Sequence, residues 1–174
     1  MSRAELHTAS AMNPTVVVMM GVSGSGKTTI GRLLAERRNM TFCDADDFHS
    51  RANVEKMRRG VALDDQDRAG WLRALRDRID TALARHEPLV VACSALKGSY
   101  RRTLGLPRPA VRIVYLRVTP ELASSRLAAR RDHFMPASLV PTQFEDLEEP
   151  ADAIVVDAAA PADAIVLEIE RALG

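Results

Sequence analysis

The sequence predicts a three-layer α/β fold: a central five-stranded parallel sheet flanked by helices. Three observations predict it. Five short runs are apolar almost throughout, without clean alternation, as strands buried on both faces are. Longer stretches of helical period lie between them. Strand-like and helix-like segments alternate along the whole chain.

The strand runs are Thr15–Met20 (TVVVMM), the weaker Thr41–Cys43, Leu89–Cys93, Val111–Val118 and Ala153–Val156. Lys27–Arg38 is the first helical stretch, with Ile30, Leu33 and Leu34 on one face. Asp67–Ala84 places Leu72, Leu75, Ile79 and Leu83 at helical spacing, with Trp71 expected in the core. Thr119-Pro120-Glu121 starts a helix: a capping hydroxyl, a proline in the first turn, an acid at the positive end. Pro161 opens the last helix, with Ile165, Ile169 and Leu173 on one face. In such folds ligands collect at the carboxyl ends of the strands.

The chain has 174 residues, enough for one domain with one core. Residues 1–13 read as a flexible tail and residues 14–174 as a single domain. Hydrophobic residues at 47% and charged residues at 27% are ordinary for a soluble globular protein. No apolar run approaches membrane-spanning length, and the start lacks the layout of a secretory signal. A net charge of +1 gives no general attraction to nucleic acid or anionic membrane. Cys43 and Cys93 have no metal-ligand or redox spacing. They read as buried free thiols in a reducing cytoplasm, with a disulfide between them as the alternative.

Directly after the first strand stands Gly21-Val22-Ser23-Gly24-Ser25-Gly26-Lys27-Thr28, which fits G-x-x-x-x-G-K-[ST] at every fixed position. Glycines let the backbone wrap tightly and aim its N–H groups at phosphate oxygens. Lys27 is expected to reach the β- and γ-phosphates of ATP, and the Thr28 hydroxyl to ligate Mg²⁺. The helix that follows, entered through Thr29, points its positive end at the anion. The competing dinucleotide motif fails, because Thr29 occupies the place of its third glycine.

No Asn-Lys-x-Asp base-reading motif of GTPases occurs, and Asp67–Gly70 (Asp-x-x-Gly) falls inside a helical stretch. Leu89–Cys93 runs into Ser94-Ala95-Leu96-Lys97 rather than the acidic strand end of motor ATPases. Together with the small size, this describes a P-loop kinase for a small molecule. Asp44 and Asp46 follow the second strand; in an extended segment they point the same way. One can hold magnesium through water, and the other can accept a proton from a substrate hydroxyl. A turn using aspartates for local hydrogen bonds is the bland alternative.

Asp44–Leu72 (DADDFHSRANVEKMRRGVALDDQDRAGWL) resembles the signature of the gluconate kinases. So do Cys93–Lys97 with Tyr100-Arg101, Arg126–Met135, and Thr142-Gln143-Phe144 with Leu147-Glu148 and Pro150. The resemblance runs from about Val16 to Asp157. Ala45, Ser50 and Gly70 depart from the usual glycine and prolines. It implies transfer from ATP to the C6 hydroxyl of D-gluconate, a homodimer, and a product feeding the pentose phosphate pathway. Likeness to the related shikimate kinases implies Asp44 near Mg²⁺, Asp46 near the hydroxyl, Arg126 beside adenine and Arg130 on the phosphates.

A polyol acid needs cations for its carboxylate and polar groups for its hydroxyls. Lys56, Arg68, Lys97 and Arg101 are the candidate cations; His49, Asn53 and Ser94 are candidate hydroxyl partners. Most fall in a helical region over about residues 47–84. Solvated helix faces would account for the same charges. Arg126 and Arg130, four apart, are expected on one face of one helix, with Arg131 and His133 continuing the cluster. His133 joins the substrate set, and a lid over about residues 126–140 is expected to close on the phosphates. The rival readings are a kinase for another small acid or polyol such as shikimate, a nucleotide kinase, and a non-catalytic nucleotide-binding regulator.

Overall fold

The computed structural model describes residues 14–174, so the reading of residues 1–13 as a tail lies outside the described residues. Five strands, β1 (Val16–Met20), β2 (Thr41–Asp44), β3 (Leu89–Ala92), β4 (Val111–Arg117) and β5 (Ala153–Asp157), form one sheet in the order β2-β3-β1-β4-β5. Every pairing is parallel; Val16 of β1 sits opposite Leu89 on one side and Val111 on the other. The order places β1 in the centre, and with it the mouth of the loop that follows.

The lack of alternation in β1 has a direct cause. Val17 and Met19 face one core, and Val16, Val18 and Met20 face the other. All five are fully buried, each contributing about 1.5–3 kcal/mol of burial. The first core is closed by α1 (Lys27–Arg37) through Ile30 and Leu34, and by α7 (Ala162–Leu173) through Ile165, Ile169 and Leu173. The second is closed by α3 (Asp65–Ala84) through Trp71, Leu75 and Ile79, with Tyr100 of α4 (Gly98–Thr103).

Helix α3 begins two residues earlier than its periodicity predicts, because Asp64 and Asp67 form a reciprocal capping box. The Asp67 N–H donates to Asp64 Oδ1 at 2.7 Å, and the Asp64 N–H to Asp67 Oδ2 at 2.9 Å. In α5 (Pro120–Ala128), Thr119 accepts from the Leu122 N–H and Pro120 opens the first turn, as expected. Helices α2 (Arg51–Arg58), α4 and α6 (Val140–Asp146) are too short to leave a periodic signal in the sequence. Both cysteines are free; Cys93 is buried, and desolvation pushes its thiol up to about 12.

Candidate active site

The site is built on the loop between β1 and α1. Gly26 caps α1 in the left-handed region and offers no side chain, so the first N–H groups of the helix stay open to an anion. Gly24, at φ +83°, lies against α5: a Cβ there would stand 2.4 Å from the Ala123 carbonyl oxygen. Lys27 Nζ donates to the Val22 carbonyl at 2.9 Å, folding across the loop. Desolvation lowers its pKa, while Asp46, Cys93 and Asp44 act against that shift.

Thr28 Oγ1 donates to Asp44 Oδ2 at 2.8 Å. A hydroxyl and a carboxylate side by side at the phosphate loop are the hard oxygen donors that Mg²⁺ takes, alongside water and phosphate. The residues present therefore fit the ion. One expectation is corrected here. The chain is not extended through Asp46: β2 ends at Asp44, which caps a 3-10 turn, Ala45–Phe48, by accepting the Asp46 N–H at 3.0 Å. The aspartate-rich segment satisfies its own backbone locally, as Asx residues do. Both carboxylates nevertheless line one cavity, Asp44 from the strand end and Asp46 from the turn.

Burial acts to raise the pKa of Asp46. The hydrogen bond from His133, then Lys27 and His49, outweigh it and hold the carboxyl below its ordinary value. His133 Nε2 is 3.5 Å from Asp46 Oδ2. The carboxylate is thus ionised at neutral pH, with Lys27 and the two histidine rings around it.

Beyond Asp46 the cavity is walled by His49, Arg68, Ser94, Tyr100 and Gln143. His49 stacks on Trp71 with centroids 4.6 Å apart and planes at 9°. Trp71 in turn donates Nε1–H to the Ala45 carbonyl at 2.7 Å. Burial lowers the His49 pKa, with Asp46 opposing and Arg68 adding to the shift. Its Nδ1 is buried without a hydrogen-bond partner. A neutral ring with an open nitrogen suits a hydroxyl. Arg68 donates to Tyr100 OH at 2.7 Å, and Tyr100 OH donates to Asp65 Oδ1 at 2.6 Å, fixing the guanidinium in the wall.

The other candidate cations are engaged away from this cavity. Lys56 pairs with Asp67 at 2.5 Å, and Asn53 Nδ2 donates to the Asp67 carbonyl at 2.8 Å, so both tie α2 to the start of α3. Lys97 lies between Asp65 at 3.4 Å and Asp146 at 3.6 Å. Arg101 Nη1 donates to the carbonyls of Ala95 (2.8 Å) and Leu96 (3.0 Å). Of the four, Arg68 alone lines the cavity.

A second cavity, about 340 Å³, opens on the other side of the loop between Thr29, Ile30, Arg126, Arg130, Ala158 and Ile165. Arg126 donates to the carbonyls of Ala158 (2.7 Å) and Ser25 (3.5 Å). Arg130 is not on the same helix as Arg126. Helix α5 ends at Ala128, and the Arg130 N–H closes a tighter turn on the Leu127 carbonyl at 3.1 Å. Arg130 still borders both this cavity and the phosphate loop, the latter with His133. Sequence reasoning assigned no site role to Tyr100 or Gln143. Both stood inside the quoted motif blocks, and that was the available signal.

A phosphate-binding loop, a magnesium-competent Thr–Asp pair and an ionised aspartate at the mouth of a polar cavity define a P-loop kinase. A family model for an AAA domain matches residues 16–151. The probable gluconokinase of Mus musculus is 40% identical over 177 residues, covering 92% of each chain. The thermoresistant gluconokinase of Escherichia coli (strain K12) is 39% identical over 87% of this chain and 89% of that one. The crystal structure of a gluconokinase from Sinorhizobium meliloti 1021 superposes with a TM-score of 0.81 at 41% identity, over 92% of each chain. A shikimate kinase from Aquifex aeolicus vf5, at 21% identity and a TM-score of 0.63, shares the fold. The chain belongs to the gluconokinase family.

Proposed function

We propose that this kinase transfers the γ-phosphoryl group of ATP to the C6 hydroxyl of D-gluconate, giving 6-phospho-D-gluconate and ADP. The observation that carries the reading is Asp46: an ionised carboxylate between Lys27 at the phosphate loop and, deeper in the same cavity, the cation Arg68 and the neutral His49.

In this reading the loop N–H groups and Lys27 hold the phosphates, and the Arg126 cavity takes the base. Thr28 and Asp44 would hold Mg²⁺, which supplies positive charge against the phosphate oxygens when bound. Arg68 takes the carboxylate of the acceptor; His49 and Ser94 take hydroxyls along its chain. Asp46 receives the proton as the acceptor oxygen bonds to phosphorus. The bond from phosphorus to the bridging oxygen breaks, and its electrons leave with ADP. Arg130 borders the phosphate loop and balances charge on the transferring group, while His133 holds Asp46 in place from beside it. Free thiols at Cys43 and Cys93 support a cytoplasmic setting. A homodimer and a product entering the pentose phosphate pathway belong to the same proposal.

The test is ADP release with MgATP against D-gluconate, shikimate, glucose, glycerate and AMP. Turnover on gluconate alone supports the reading. Turnover on another member replaces the acceptor and reassigns Arg68. Silence on all five favours a nucleotide-binding regulator.

A further inference from the structure

The transferring group must cross from the phosphate loop into the acceptor cavity, and one pair of side chains stands at that boundary. Ser23, the third residue of the loop, borders both spaces. Gln143, on α6 and 120 positions away, grips it twice. Its Oε1 accepts the Ser23 N–H at 2.7 Å, and its Nε2 donates to Ser23 Oγ at 3.0 Å. Gln143 is 9% exposed, and its amide also meets Met135 Sδ at 3.8 Å. Arg126 reaches the loop from the nucleotide side, at the Ser25 carbonyl (3.5 Å), and Lys27 closes its own loop locally; among the described residues Gln143 holds the limb that faces the acceptor cavity.

The segment just past the end of α6 is anchored as well. The Glu148 N–H donates to the Leu96 carbonyl at 2.9 Å, and Glu148 Oε2 accepts the Gly98 N–H at 2.8 Å. Leu96 and Ser94 belong to the acceptor cavity wall. Helix α6 therefore connects that wall to the loop through one amide.

We infer that Gln143 is a positioning residue: by holding both groups of Ser23 it fixes the acceptor-facing limb of the phosphate loop relative to the cavity. This rests on the kinase reading of the site, not on which acceptor is used. The amide reaches neither Lys27 nor the N–H groups at the start of α1, so anchoring of the bound phosphates is left nearly intact while in-line placement of the acceptor is lost. Misplacement on this scale slows chemistry roughly 10- to 100-fold.

The test compares Gln143→Ala and the space-filling Gln143→Met with wild type, using whichever acceptor the wild type turns over. The expected result is a kcat reduced roughly 10- to 100-fold in both, with KM for MgATP within about threefold. Affinity for a non-hydrolysable ATP analogue, measured by titration calorimetry, should match wild type. Gln143→Met keeps the volume against Met135 and guards against a folding defect in the alanine variant. A wild-type kcat in Gln143→Met overturns the inference, as does a loss carried by KM for MgATP alone. Failure of the wild type to use gluconate would instead strike the acceptor assignment, and the calorimetric comparison would still stand.

Discussion

Replacing Trp71 by Phe removes one identifiable bond and weakens one identifiable contact. The indole N–H to the Ala45 carbonyl, at 2.7 Å in a buried setting, contributes about 0.5–1.5 kcal/mol. The parallel stack on His49 contributes roughly another 0.5–1 kcal/mol beyond area. The smaller ring leaves space in a core where Trp71 is 5% exposed, at a cost of about 1 kcal/mol. Together these give roughly 2–3.5 kcal/mol. A domain of this size loses about 2–4 °C of Tm per kcal/mol, so a fall of roughly 4–14 °C is expected. Far-UV circular dichroism is the assay, since the substitution removes the only tryptophan. The effect also reaches the chemistry, because Ala45 opens the turn that carries Asp46. Turnover should fall severalfold at temperatures well below the melt. A Tm shift under about 2 °C would refute the reasoning, since losing the bond and the volume and weakening the stack cannot cost so little.

Other outcomes follow from the same geometry. Asp46→Asn should reduce kcat roughly 10²- to 10⁴-fold, as loss of a general base does. Because His133, Lys27 and His49 hold the Asp46 pKa down, its stabilising contribution is present above the unfolded pKa and lost as pH falls through the folded one. The acidic limb of the wild-type kcat/KM profile should therefore lie below the usual carboxylate range, and a limb near neutrality would contradict it. Arg68→Met should raise KM for gluconate roughly 10- to 100-fold, the loss of a charge-assisted contact, with little change in KM for MgATP. Arg130→Ala should depress kcat strongly while leaving Tm within about 2 °C, because Arg130 is exposed and holds no core contact. Near-normal turnover there would remove Arg130 from the mechanism.

The parallel sheet was readable because each central strand is apolar on both faces, and the phosphate loop because its chemistry leaves little freedom of residue type. The acceptor side was less so. Lys56, Lys97 and Arg101 are indistinguishable from Arg68 as sequence letters. Their partners, Asp67, Asp65 with Asp146, and the carbonyls of Ala95 and Leu96, are assigned by tertiary packing. Asp46 was found by the strand-end pattern, although the chain reaches its position through a capped 3-10 turn rather than an extended step. Ser23 and Gln143 meet across 120 positions, a proximity that no local pattern encodes.

The contact of Gly24 with Ala123 bears on where the molecule can bend. Backbone lies directly on backbone there, with no side chain between to flex or slide. Arg126 bolts the next turn of α5 to Ser25 and Ala158. Most of α5 therefore travels with the phosphate loop as one rigid body and cannot swing over a bound nucleotide. Helix α6 is tied to the same body by Gln143. The lid expected over residues 126–140, if it closes, is thereby confined to residues 129–139, a short strap fastened at both ends rather than a hinged helix.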